Sequence, residues 1–226
     1  MPNRIAIIPA RSGSIRIKDK NIKKFHGKPL ILYSLSEIKK SKMFDKIHVS
    51  TDSKKIADIV NKINIKTDFL RTKKLSQDKI SIQEIIKFVV EKYSRIGLNF
   101  DEVWLFFATN PFVNTKIIKK AYDIYLKNKK KFSIITVTKY NYPIEWSGII
   151  KNKKIIPLFP KLITKDSKKT YKAFCDAGML VIYQKSFLKN KNKSIEFIPC
   201  ILPLGNSVDI DDPDDFRLAE KLFKNS

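Results

Sequence analysis

Apolar residues recur along this chain in two rhythms that alternate. Unbroken runs at Ile5–Ile8 and Val103–Phe107, and the short alternating Ile47–Ser50, have the length and branched content of strands. Between them, apolar residues fall three and four apart, as on one face of a helix. Leu30 to Lys40 carries Leu30, Ile31, Tyr33, Leu35 and Ile38; Ser81 to Tyr93 carries Ile82, Ile85, Ile86 and Val89. Lys54 to Lys62, with Ser53 as N-cap, and Thr115 to Lys127 complete the helices of this half. Ile65–Phe69, Ser133–Val137, Ala177–Tyr183 and Ser194–Leu202 predict further strands, and Phe216 to Phe223 predicts a closing helix. Strands alternating with helices predict an α/β fold with a mostly parallel sheet.

The rhythm breaks between Lys139 and Tyr171. Pro143, Pro157 and Pro160 interrupt it, and Ile149 to Ile156 reads as a β-hairpin. With no linker elsewhere, the expectation is one domain over residues 1–226 with an excursion at 139–172. The aromatics Trp146 and Phe159 make that excursion the expected contact of a homodimer.

Composition narrows the class. The chain has 226 residues, 43% hydrophobic and 30% charged, ordinary for a globular protein able to bury a full core. No apolar run reaches the ~20 residues of a membrane span. The first residues lack a signal-peptide pattern, so the expected location is the cytoplasm. Cys175 and Cys200 have no metal-binding spacing and are expected as structural thiols. His26 and His48 have no nucleophile partner in a known motif and are expected as structural or surface residues. The net charge of +24, from 46 Lys+Arg against 22 Asp+Glu, invites a nucleic-acid reading. The lysines, however, are scattered in runs such as Lys127–Lys131 and Lys189–Lys193 without interleaved arginine and aromatic residues. A solvated basic surface explains them better, and it attracts small anions as well.

Two segments carry chemistry. The first strand delivers Ala10-Arg11-Ser12-Gly13-Ser14-Ile15-Arg16-Ile17-Lys18-Asp19-Lys20-Asn21, a small-residue loop whose backbone N–H groups and cations suit a triphosphate. It matches neither the P-loop nor the dinucleotide fingerprint. Taken alone, it also fits a solvated basic turn. Far away in sequence, Asp209-Ile210-Asp211 sets two carboxylates on one face of an extended segment, a pair that can share Mg²⁺ with substrate phosphates. Asp212, Asp214 and Asp215 fit the start of the last helix with Pro213 in its first turn; taken alone, all five acids fit that role. Together, loop and acid pair suit metal-assisted nucleotidyl transfer.

The stretch Ile7-Ile8-Pro9-Ala10-Arg11-Ser12-Gly13-Ser14 with Arg16, Ile17, Lys20 and Asn21 resembles the opening motif of the CMP-sialic acid synthetases, the acylneuraminate cytidylyltransferases. Ser50-Thr51-Asp52, Leu70-Arg71, Ala108–Phe112 and Asp209-Ile210-Asp211 follow in that family's order, so the resemblance spans the whole chain. Tyr142-Pro143-Ile144, Asp176-Ala177-Gly178 with Tyr183, and Phe107 are most similar to its pseudaminic acid branch. The resemblance implies a Rossmann-like three-layer nucleotide-diphospho-sugar transferase fold. It also implies CTP and a nonulosonic acid as substrates, Mg²⁺ on Asp209 and Asp211, and pyrophosphate as the leaving group. CTP is expected on Ala10, Arg11, Ser12, Gly13, Ser14, Arg16, Lys20, Asn21, Arg71 and Ser76, and the sugar on Thr109, Asn110, Tyr142 and Asp176. Arg11, Lys20, Asp209 and Asp211 are the residues expected to act in catalysis.

The chain departs from the family at Ile15, where lysine is usual, and at Lys18, where proline is usual, so Lys18 is expected to stand in for the missing cation. Neuraminate, legionaminate and Kdo remain alternative sugars, and an inert CTP sensor an alternative role. The different class, a nucleic-acid-binding α/β protein, predicts binding that falls steeply with salt.

Overall fold

The structure, a computed structural model, describes residues 3–164, 166–184 and 196–224. Its strands and helices follow the predicted alternation closely. The strands of the main sheet are β1 (Arg4–Pro9), β4 (Lys46–Ser50), β5 (Glu102–Phe106), β6 (Ser133–Lys139), β9 (Phe174–Tyr183) and β10 (Phe197–Ile201). Two short strands, β2 (Lys24–Phe25) and β3 (Lys28–Pro29), pair with each other, as do β7 (Gly148–Lys151) and β8 (Lys154–Pro157). The helices are α1 (Ile31–Ser41), α2 (Lys54–Asn61), α3 (Ile82–Ser94), α4 (Thr115–Lys127) and α5 (Pro213–Phe223).

The main sheet has the order β10-β6-β9-β5-β1-β4. Five strands run one way; β9 alone runs antiparallel to both its neighbours, β5 and β6. Alternation along the central strands divides the core in two. Ala6, Ile8, Trp104 and Phe106 face one side, where α1, α2, α4 and α5 supply Leu35, Val60, Ile118 and Phe216. Ile5, Ile7, Val103 and Leu105 face the other, against Ile86, Val89 and Tyr93 of α3. Sheet faces covered by helices on both sides give three layers.

Local chemistry sets the boundaries. Ser53 accepts from the Ile56 amide and caps α2, while Ser81 and Glu84 form a capping box on α3. Asp212 and Asp215 form the same box on α5 with Pro213 at its start, so those acids do cap that helix. The hairpin turns at Asn152 and Lys153, both at positive φ, as a two-residue turn with the twist of its strands requires.

One expected strand does not form. Ile65–Phe69 is irregular because its backbone is committed elsewhere: the Ile65 amide closes α2 at Val60, and the Thr67 amide donates to Asn61 Oδ1. Part of the expected Ser194–Leu202 strand, and the Lys189–Lys193 run, lie outside the described residues.

Topology points to one edge. β1 lies between β4 and β5, and the chain leaves it first toward one side and later crosses to the other. The crevice at the carboxyl end of such a strand is where open α/β sheets hold ligands. The reversed β9 brings its first residues, Phe174–Ala177, to that same edge.

Candidate active site

The loop after β1 is fixed at both shoulders. Ala10 continues the ladder by donating to Ser50 O at 2.9 Å. Ser12 donates its amide and hydroxyl to Asp52 at 2.9 and 2.8 Å, and these bonds hold the Asp52 carboxyl below its usual range despite burial. Asn21, nearly buried, donates Nδ2 to Arg11 O at 3.0 Å. Between these anchors Gly13 faces open space, with nothing within 4 Å of where a Cβ would stand. Ile15 is 83% exposed at the tip.

A cavity of about 500 Å³ opens beside this loop. Arg11, Arg16 and Lys20 line one side with Ser14, Asn21 and Asp211; Ile80, Ile82 and Ile85 form an apolar wall. Arg71 reaches in from the segment after α2, its amide donating to Thr51 O at 2.7 Å. Only 6% of Arg71 is exposed, yet Nε and Nη2 have no hydrogen-bond partner. Burial, and the neighbouring Arg11, lower the guanidinium's pKa, with Asp52 opposing. Buried donors without acceptors are costly, and Arg71 is among the residues that line the cavity.

The acidic segment meets the loop directly. Lys20 Nζ donates to Ile210 O and to Asp211 Oδ1, each at 2.8 Å, and Arg16 holds Asp211 Oδ2 at 3.0 Å. These two cations outweigh burial and keep the Asp211 carboxyl below its usual range. Ile210 between the two aspartates is fully buried and donates its amide to Thr109 O. Asp209 Oδ1 accepts from the Thr109 hydroxyl at 2.6 Å. Burial pushes the Asp209 carboxyl up, and neighbouring Asp211 and Asp176 add to it. Asp176, at the start of β9, accepts from the Gly178 amide; it opens to solvent on one side, but burial raises its pKa as well. The two ends of the chain thus build one basic-to-acidic surface.

Other expected site residues stand apart from it. Asn110 is fully buried, its Nδ2 donating to Ala177 O, Gly178 O and Ser207 Oγ and its Oδ1 accepting from the Phe112 amide. It therefore offers a sugar no free group and instead ties the turn after β5 to β9. Tyr142 is 75% exposed on the excursion. Ala10 is buried, and the Ser76 hydroxyl is spent on Thr72 O; neither lines the cavity, nor do Ser12, Gly13 or Lys18. Lys18, expected to replace a cation at Ile15, is exposed and lies outside the cavity lining. Sequence reasoning passed over Asp52 as the loop's anchor, and Gln77, Asp78 and the isoleucine wall as cavity lining. Ile82 and Ile85 have helical spacing, which points to core and says nothing of a ligand.

Comparison with known proteins identifies the family. A family model described as cytidylyltransferase matches residues 5–156. The chain is 32% identical to a pseudaminic acid cytidylyltransferase of Campylobacter jejuni, over 97% of this chain and 96% of that protein. It is 30% identical to a CMP-N,N'-diacetyllegionaminic acid synthase of Legionella pneumophila, over 97% and 96%. Among solved structures, a CMP:2-keto-3-deoxy-manno-octonic acid synthetase complexed with CTP superposes with a TM-score of 0.74 at 14% identity, covering 99% of both chains, and shares the fold. From its first strand to its last helix, this chain belongs to the cytidylyltransferase family.

Proposed function

We propose that the protein transfers the cytidylyl group of CTP to a nonulosonic acid, most favourably pseudaminic acid. The observation that carries this reading is Arg71, buried with two unpartnered guanidinium nitrogens beside a cavity whose other side is the basic loop. A nucleotide satisfies both at once: its base or ribose offers acceptors to Arg71, and its phosphates lie along Arg11, Ser14, Arg16 and Lys20. The similarity to the Campylobacter jejuni protein supports pseudaminic acid as the sugar.

In this reaction the sugar's C2 hydroxyl oxygen attacks the α-phosphorus in line. The bond from that phosphorus to its bridging oxygen breaks, pyrophosphate leaves with the electron pair, and the hydroxyl proton passes to water. Arg11, Arg16 and Lys20 neutralise charge on the leaving group, and the fixed loop orients the triphosphate, so positioning and electrostatics do most of the work. Asp176, at the same edge as Asp209, places an acceptor where the sugar's amide or hydroxyl groups arrive.

The acids fit Mg²⁺. Asp209 and Asp211 offer hard carboxylate oxygens, and among the described residues no third metal-ligating side chain completes a closed cage. Such an open pair leaves positions for phosphate oxygens and water, the usual habit of this ion. Bound there, Mg²⁺ would withdraw charge from the phosphates and acidify the attacking hydroxyl.

The excursion supports a homodimer. Ile149, Ile150, Ile155 and Ile156 are 42–82% exposed on one hairpin, near Leu158 and Phe159. A second copy covering this apolar hairpin would bury it, since monomers seldom leave so large a patch in water. No helix of the described residues is long and apolar enough to cross a membrane, and the reaction suits the cytoplasm, where CTP is present.

The deciding experiment offers the protein CTP and Mg²⁺ with pseudaminic, legionaminic, neuraminic and Kdo sugars and measures pyrophosphate. Release with pseudaminic acid foremost is expected; no release with any of them would remove the reading.

A further inference from the structure

The cations of the phosphate loop that face the cavity each already hold a carboxylate. Lys20 and Arg16 hold Asp211, which belongs to the acidic half of the site. Arg11 instead holds Asp78, a residue on the opposite rim with no part in that half. Asp52 accepts from Ser12 with both oxygens, and the ion pair described for Arg11 is with Asp78.

Asp78 sits on a strap of chain, Thr72 to Ile80, that bridges two well-anchored points. At one end the Arg71 amide is fixed to Thr51 O; at the other the Ser81–Glu84 capping box starts α3. Between them the hydrogen bonds described are local: Leu75 to Thr72, Ser76 to Thr72 and Lys73, and Ile80 to Gln77. The Asp78–Arg11 pair is the described polar contact that fastens the middle of this strap to the phosphate loop. The Asp78 side chain is 64% exposed, so little packing opposes its release.

We propose that Asp78 is a latch: it occupies Arg11 as a stand-in for phosphate, and the strap must release it before a triphosphate can bind. A triphosphate and the Asp78 carboxylate carry like charge and compete for one guanidinium, so the two cannot hold it together. The latch holds Arg11, which the neighbouring Arg71 repels, in position while the site is empty. It also makes phosphate-bearing ligands bear the cost of opening, whereas a ligand that does not reach Arg11 is indifferent to it. This inference rests on the reading of the loop as the triphosphate site.

The test compares wild-type protein with Asp78→Asn and Asp78→Ser by calorimetric titration with CTP, tripolyphosphate and cytidine. An exposed ion pair of this kind predicts about two- to fivefold tighter CTP and tripolyphosphate binding in both variants. Cytidine affinity stays unchanged, and the gain shrinks at high salt. In wild-type protein, CTP should also speed amide exchange across Thr72 to Ile80. Unchanged or weaker CTP binding in the variants overturns the latch, as does an equal gain for cytidine. If wild-type protein binds tripolyphosphate and not CTP, the nucleotide reading fails, and the tripolyphosphate comparison alone decides the latch.

Discussion

The Asp209 carboxylate lies directly on the backbone of Gly178. A Cβ at Gly178 would stand 2.5 Å from both Asp209 Cβ and Oδ2, and the residue adopts φ +56°, in the left-handed region. Glycine is therefore needed there twice over, by space and by conformation. Gly178→Ala should push Asp209 off its bond to Thr109 and lower the melting temperature, at a cost of about 1–3 kcal/mol for overpacking and strain. Pyrophosphate release should fall much further than the fraction of folded protein. Thermal melts beside turnover assays distinguish that outcome from simple unfolding.

Arg71 should show the opposite separation of stability from function. Its two unpaired nitrogens, Nε and Nη2, are buried at a cost in the ligand-free protein. Arg71→Met keeps the bulk and removes those donors, so the melting temperature should hold or rise. CTP affinity should fall about 10- to 100-fold, the size of a lost hydrogen bond to a charged donor. A titration with CTP and a melt of the same sample measure both. A variant that unfolds early and binds CTP normally would mean that Arg71 serves the fold.

How far the sequence carried this structure depended on whether the determining contact was local. Thr115–Lys127 was legible because Asn114 caps it and its apolar face repeats every turn. The basic loop and the Asp209/Asp211 pair were legible because each is contiguous. Asn110 was misleading: a polar residue after a buried strand looks ligand-facing, and only the arrival of β9 shows its amide consumed by Ala177 and Gly178. Ile65–Phe69 has a strand's composition, but Asn61 and the end of α2 take its amides. Asp52 and Asp78 act through partners 40 and more residues away, which no spacing rule reports.

Stability should fall in mild acid because of His48. Tyr93 donates its hydroxyl to Asp68, so the Tyr93 oxygen accepts from His48 Nδ1–H at 2.9 Å, and Nε2 is left buried without a partner. An added proton on Nε2 would find no acceptor. Burial is the main cause that brings the pKa down to about 4, with Lys46 and Arg71 assisting and Asp68 opposing. The unfolded chain takes up this proton below about 6.5, and the folded protein does so only near 4. The unfolded state therefore binds more protons in that window, and folding stability declines as pH falls through it, by about 3 kcal/mol in total. Urea unfolding at pH 7, 5.5 and 4.5 should reveal this slope. His48→Gln, which cannot titrate, should flatten it, and an identical slope in the variant would assign the loss to other groups.

Ile15 gives the phosphate loop a tip without charge where the cavity is open. It is 83% exposed, lines the cavity beside Arg16, and has no packing to lose. Ile15→Lys should therefore leave stability within about 0.5 kcal/mol, as for most surface changes. An added cation on a flexible stem, next to a ligand bearing several negative charges, should lower the KM for CTP severalfold at low salt. The gain should shrink as ionic strength rises past the ~8 Å screening length of physiological salt. Because Lys20 and Arg16 already bridge to Asp211, the new charge should act on binding more than on kcat. Steady-state kinetics at two salt concentrations test this, and a KM for CTP that stays constant would place the bound triphosphate away from the loop's tip.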